Sequence, residues 1–182
     1  MKKILFFLII IFHSNALANN KEKIIENFSN IKNLNFKFEQ NINGDIENGD
    51  CTIQYPKKIN CEYYTLNKKK LVSNGKSLVI KTNSGSYYLY PIEKTPLNLI
   101  LDKDFLISKI KTSQERKIDD MYLNYTFVEN SNEIKVFFDL ENHNLIGWQI
   151  LDIYQNLSMT YLYSISKNKK LEPDFFKLPK PN

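Results

Sequence analysis

The chain has 182 residues, 42% of them hydrophobic, and a formal net charge of +5. That length fits one domain able to bury a core without staples. The basic residues are scattered, the longest run being Lys68-Lys69-Lys70, whereas a nucleic-acid binder gathers them on one face with aromatics between.

At the N-terminus, Lys2 and Lys3 precede nine uninterrupted apolar residues, Ile4 to Phe12. His13-Ser14-Asn15 breaks the run, and Ala16-Leu17-Ala18 offers a small-x-small cleavage site, which is the layout of a secretory signal peptide. The apolar run is well short of the roughly 20 residues that span a bilayer, and no later stretch approaches that length. An uncleaved anchor is the competing reading. No cysteine stands at the junction, so lipid modification is not expected. The sequence predicts a cleavable signal peptide over residues 1–18 and a water-soluble domain over 19–182, located in the periplasm. Loss of Lys2 and Lys3 brings the charge to +3, which attracts anionic headgroups only modestly.

Ile24, Ile25, Phe28 and Ile31 have helical spacing, so one amphipathic helix is expected over Lys21 to Ile31. The pattern then switches to period two, with Leu34, Phe36 and Phe38 alternating with polar residues as in a half-buried strand. Asn43-Gly44-Asp45 turns the chain. Strands are expected at about Asp50–Tyr55, Ile59–Thr65, Lys69–Ser73, Lys76–Thr82 and Ser86–Tyr90. Asn74-Gly75 is the strongest hairpin signal, since both residues tolerate the positive φ of a type I′ turn. In the middle, Thr95 reads as a helix N-cap and Pro96 as the first residue of a short apolar helix through Leu101. Asp104 to Ile107 suggests a further helical turn. Strands then resume at Ser108–Ser113, Met121–Glu129, Glu133–Leu140, Leu145–Ile153 and Leu157–Ser166, and Asp174 to Pro179 forms a last short segment. About ten short antiparallel strands with few helices indicate a sandwich or barrel. The apolar central helix either closes over a concave sheet face or completes a solid core.

Chemistry finds little support. Past residue 18, His143 is the sole histidine, in a polar turn. Asp119-Asp120 reads as a solvated turn. One histidine and two cysteines make a poor zinc site, which usually takes four ligands. Cys51 and Cys61 flank a hairpin turn; register decides whether they bridge or remain two thiols, and the sequence does not fix it.

At this point the residues carry a resemblance. The helix is followed by Phe36-x-Phe38-x-Gln40, then Gly44 and Gly49, then Tyr55-Pro56 before a strand ending Glu62-Tyr63-Tyr64. Leu71-Val72-Ser73-Asn74-Gly75-Lys76-Ser77-Leu78 comes next, then Thr95-Pro96-Leu97 with Leu99-Ile100-Leu101, then Asp152 with Gln155-Asn156, and finally Phe175, Leu178 and Pro179. In order and spacing this resembles the LolA-type periplasmic lipoprotein carriers over nearly all of the chain past residue 18. The resemblance implies an open, incomplete antiparallel β-barrel with an N-terminal helix and an α-helical lid over a hydrophobic cavity. It implies no enzyme activity and no cofactor. It also implies a monomer that takes the acyl chains of lipoproteins from an inner-membrane releasing transporter to an outer-membrane receptor. Phe36, Phe38, Trp148 and Ile150 are then the expected cavity wall, and Leu97, Ile100 and Leu101 the lid, with ordinary core packing as the competing role for each. The sequence departs from the family pattern where Tyr55 replaces an arginine that helps hold the lid. As a latch, Tyr55 offers one hydroxyl in place of a guanidinium fork. Cys61 stands where tryptophan is common, and Gln155-Asn156 where a late glycine is expected. A related carrier of glycolipid or other lipid, or an envelope sensor of the same fold, are the other readings.

Overall fold

The computed structural model describes residues 19–64 and 68–181; the expected signal peptide lies outside them. Asn19 caps helix α1 (Asn20–Ser29), accepting from the Glu22 amide at 2.9 Å. Ile24 and Phe28, one turn apart, bury its apolar side. A meander follows: β1 (Asn33–Ile42), β2 (Asp45–Gln54), β3 (Lys58–Tyr63), β4 (Lys70–Asn74), β5 (Ser77–Lys81) and β6 (Tyr87–Pro91). A 3-10 turn at Ile92–Lys94 leads to α2 (Leu97–Ile100) and α3 (Lys103–Thr112). The second meander is β7 (Glu115–Ile118), β8 (Tyr122–Glu129), β9 (Asn132–Asp139), β10 (Leu145–Leu151) and β11 (Leu157–Lys167).

The last strand, β11, pairs with the first, β1, so the two meanders merge into one antiparallel sheet of order β6-β5-β4-β3-β2-β1-β11-β10-β9-β8-β7. The edges β6 and β7 do not pair, so this mainly β architecture is left open. Irregular register between Asn35 and Lys37, and between Leu145 and Gly147, marks bulges, which bend strands. The helices pack on one face, which holds the core.

Several elements differ from the sequence reading. Ser108–Ser113 is not a strand: its first five residues are the second half of α3 and Ser113 is the C-cap, and Leu106 and Ile110, one turn apart along that helix, are buried. The start signal was Asp102, whose carboxylate accepts from the Phe105 amide at 3.0 Å as an N-cap. β7 went unread because its four residues, Glu115 to Ile118, are mostly charged and polar, as suits a short edge strand. β2 starts at Asp45 rather than Asp50. The paired positive φ of a type I′ turn falls at Asn43 (53°) and Gly44 (100°). At Asn74-Gly75 only Gly75 has positive φ, and the Asn74 side chain instead accepts from the Lys76 and Ser77 amides, each at 3.0 Å. Thr95 does not cap α2; its hydroxyl donates backwards to the Ile92 carbonyl at 2.8 Å.

The C-terminal segment forms turns and straps the outer face of the first meander. Asn60 Nδ2 donates to the Phe175 carbonyl at 2.7 Å, the Tyr87 hydroxyl to the Pro179 carbonyl at 3.2 Å, and Lys81 Nζ to the Lys180 carbonyl at 2.8 Å. Val72 and Val79, register neighbours of Asn60 on that face, are fully buried.

Candidate functional site: an apolar cavity on the concave face

The helices divide the concave face unevenly. α1 and α3 fill the half over the second meander: Ile24, Phe28, Leu106 and Ile110 are buried. Phe28 sets its ring edge-on to Tyr55 at 5.5 Å and to Phe138 at 5.9 Å. Lys103 Nζ locks the two helices together, donating to the Ser29 and Ile31 carbonyls at 2.8 and 2.9 Å where α1 ends. The other half is covered by α2, only four residues long. Beneath it a cavity of about 280 Å³ remains, near the small end of the roughly 300–1,000 Å³ typical of ligand sites.

Three of the four expected wall residues, Phe38, Trp148 and Ile150, line this cavity. Phe36 does not; it stands behind Trp148, edge-on at 6.2 Å and 86°. Of the expected lid residues, Leu97 faces the cavity together with Pro96. Ile100 and Leu101 point elsewhere, fully buried in the main core. The Tyr55 hydroxyl is buried with no hydrogen-bond partner among the described residues, so it makes no latch bond. Burial raises its pKa and keeps it neutral. The link to the roof comes two residues later, where the Lys57 N–H donates to the Leu101 carbonyl at 2.8 Å.

Cys51 and Cys61 are direct cross-strand partners of β2 and β3. They form a disulfide with Cα atoms 4.1 Å apart, and both face the cavity. From that bridge an inward row runs Cys51, Cys61, Leu71, Ile80, Tyr88 across β2 to β6. Leu71, Ile80 and Tyr88 are wall residues that sequence reasoning missed. Each lies in the row that the bridge begins, which only the pairing of the later strands reveals. Gly49 serves the same wall by absence, since a Cβ there would stand 2.7 Å from the Phe38 ring.

One end of the cavity is polar. The Tyr63 hydroxyl donates to Gln40 Oε1 at 3.1 Å, and Gln40 Nε2 donates to Ser158 Oγ at 2.9 Å and Thr160 Oγ1 at 3.2 Å. Lys69 pairs with Glu47 and stands 3.9 Å above the Tyr63 ring. Burial, and then the Glu47 carboxylate, push the Tyr63 hydroxyl up, so it stays protonated. Among the described residues no group of three or more His, Cys, Asp or Glu could hold a metal, and His143 sits in a turn with φ 57°.

An open antiparallel sheet, closed on its concave side by short helices over an apolar pocket, defines a cavity-bearing half-barrel protein. Residues 29–179 match the family model described as outer membrane lipoprotein carrier protein LolA, and the chain belongs to that family. Its members are carriers rather than enzymes, and with the disulfide they point to the cell envelope. Two solved structures share the fold at low identity. An uncharacterized conserved protein from Thermus thermophilus is 8% identical, with TM-score 0.53 over 88% of this chain and 93% of that one. MucB is 8% identical, with TM-score 0.50 over 89% of this chain and 62% of that one. A LolA-superfamily protein from Nitrosomonas europaea is 10% identical, with TM-score 0.45 over 88% and 99%. No curated protein sequence matches the chain significantly.

Proposed function

We propose that this protein is a periplasmic carrier that shelters the acyl chains of lipoproteins and moves them from the inner to the outer membrane. Its partners on this reading are an inner-membrane releasing transporter and an outer-membrane receptor. The observation that carries the reading is the cavity beneath Leu97 and Pro96, lined by Phe38, Trp148, Ile150 and the Cys51–Cys61 bridge. Burying an acyl chain gains roughly 0.8 kcal/mol per methylene, so a chain of about 16 carbons needs shelter on the order of 10 kcal/mol. A carrier must also release it. A four-residue helix that rests on the cavity serves both ends, because its own apolar contacts compete with the ligand.

The test is mass spectrometry of lipids and lipopeptides that copurify with the protein from an envelope extract, beside Leu97→Glu. Acylated lipoproteins on the wild type, lost from the variant with its β circular dichroism intact, support the carrier. Glycolipid or phospholipid alone makes it a general lipid carrier. No bound lipid, with capture of a membrane protein, makes it an interaction module.

A further inference from the structure

We propose that the polar end of the cavity is a subsite for the carbonyl oxygens of an acyl ester or amide, so that the protein distinguishes an acylated ligand from a bare hydrocarbon chain. The proposal rests on the acyl-carrier reading and adds to it the chemical group that is read.

The polar cluster holds more donor protons than its own acceptors take up. Four side chains make the cluster: Tyr63, Gln40, Ser158 and Thr160, all on the cavity wall. The three hydroxyls bring one donor proton each and the Gln40 amide brings two. The three hydrogen bonds within the cluster use three of these five. Two donor protons are left over, and none is taken up by an acceptor among the described residues. Turning the Gln40 amide over changes which protons are free, not how many. Ser158 and Thr160 are 2% and 3% exposed, so bulk water does not absorb the surplus at the protein surface. A buried hydroxyl without an acceptor is unfavourable, and a ligand that brings acceptors relieves it.

The placement fits such a ligand. Thr160 pairs in register with Trp148 and with Gln40, and Ser158 with Ile150. The free donors therefore border directly on the apolar wall, at the end away from the disulfide. A chain lying along Trp148 and Phe38 would bring its first carbon atoms, and the carbonyl attached to them, to Thr160 and Ser158. Acyl carbonyls are acceptors without donors, which matches a cluster with surplus donors. Lys69 and Glu47 neutralise each other beside it, so the subsite suits an uncharged ester or amide better than a free carboxylate.

The experiment compares two lipids that differ only in this group, monopalmitoylglycerol (an ester) and 1-O-hexadecylglycerol (the matching ether), by isothermal titration of the wild type. One or two hydrogen bonds of ordinary strength predict about a tenfold preference for the ester. Ser158→Ala/Thr160→Val, which is close in shape, is expected to lose the preference, its ratio of ester to ether affinity falling to about one. Equal affinity of the wild type for ester and ether overturns the subsite while leaving the carrier reading intact. A preference that survives in the double variant also overturns it. Failure to bind either lipid overturns the acyl-carrier reading itself, and the subsite with it. The wild-type comparison stands alone if the variant does not fold.

Discussion

The backbone N–H of Lys57 donates to the carbonyl of Leu101 at 2.8 Å, joining the β2–β3 turn to the end of the roof helix. Beside it, Lys57 Nζ stands 4.0 Å from Asp102, the residue that caps α3. Substitution separates the two roles of Asp102. Its pair with Lys57 is about a third exposed on both sides, so solvent screening leaves it at most a few tenths of a kcal/mol. Losing an N-cap costs about 1 kcal/mol. Asp102→Ala is therefore expected to lower urea stability by about 1 kcal/mol, and Asp102→Asn, which can still cap, by under about 0.5. Equal losses would assign the role to charge.

The disulfide closes a loop with a sequence separation of 10. For so short a loop the unfolded-state constraint is worth about 2–3 kcal/mol. Cys51→Ala/Cys61→Ala is expected to lose that amount in chemical denaturation. A loss below about 1 kcal/mol would mean that the β2–β3 ladder alone holds the cavity wall in register.

Gly49 faces a different constraint. A Cβ there would lie 2.2 Å from the Glu62 carbonyl oxygen and 2.7 Å from the Phe38 ring. Gly49→Ala must part β2 from β3 or push Phe38 into the cavity, at about 1–3 kcal/mol. Lower stability together with weaker binding of monopalmitoylglycerol is the expected pair of results. Unchanged binding would show that Phe38 does not yield inward.

Gln155 holds φ 67° in the β10–β11 turn, where the family pattern leads one to expect glycine nearby. The turn is fixed by Asp152, whose Oδ1 accepts from the Tyr154 and Asn156 amides at 2.8 and 2.9 Å. Left-handed backbone is unfavourable for a residue with a Cβ. Gln155→Gly is expected to raise the midpoint of thermal unfolding, with a gain of about 0.5–1 kcal/mol after the added freedom of the unfolded chain is subtracted. A lower midpoint would mean that the Gln155 side chain contributes contacts that outweigh the strain.

Strands whose apolar residues alternate, such as Phe36 and Phe38 in β1, were legible from period alone, as was α1 from Ile24 and Phe28. The segment after Ile107 misled because Lys109-Ile110-Lys111 mimics alternation, while the pair that matters, Leu106 and Ile110, spans a turn of helix. β7 carried no apolar pattern because an edge strand facing solvent needs none. In the site, Phe38, Trp148, Ile150 and Leu97 were legible as large apolar residues on suitable elements. Ile100 and Leu101 look the same in sequence, and only the direction of α2 separates them from Leu97. Tyr63, Leu71, Ile80 and Tyr88 were missed because wall membership follows from register across five strands, which no local pattern encodes.

The strap from Phe175 to Lys180 lies over the outside of the same strands whose inside faces the pocket. Val72 and Val79 are sealed there as completely as any core residue. The partition between pocket and solvent is thus anchored from behind, by contacts on the face away from the pocket. With a bridge within it and a strap behind it, this wall is braced on both faces. On the α2 side the cover is one four-residue helix, tied to the wall by the Lys57–Leu101 bond and to the main core by Ile100 and Leu101.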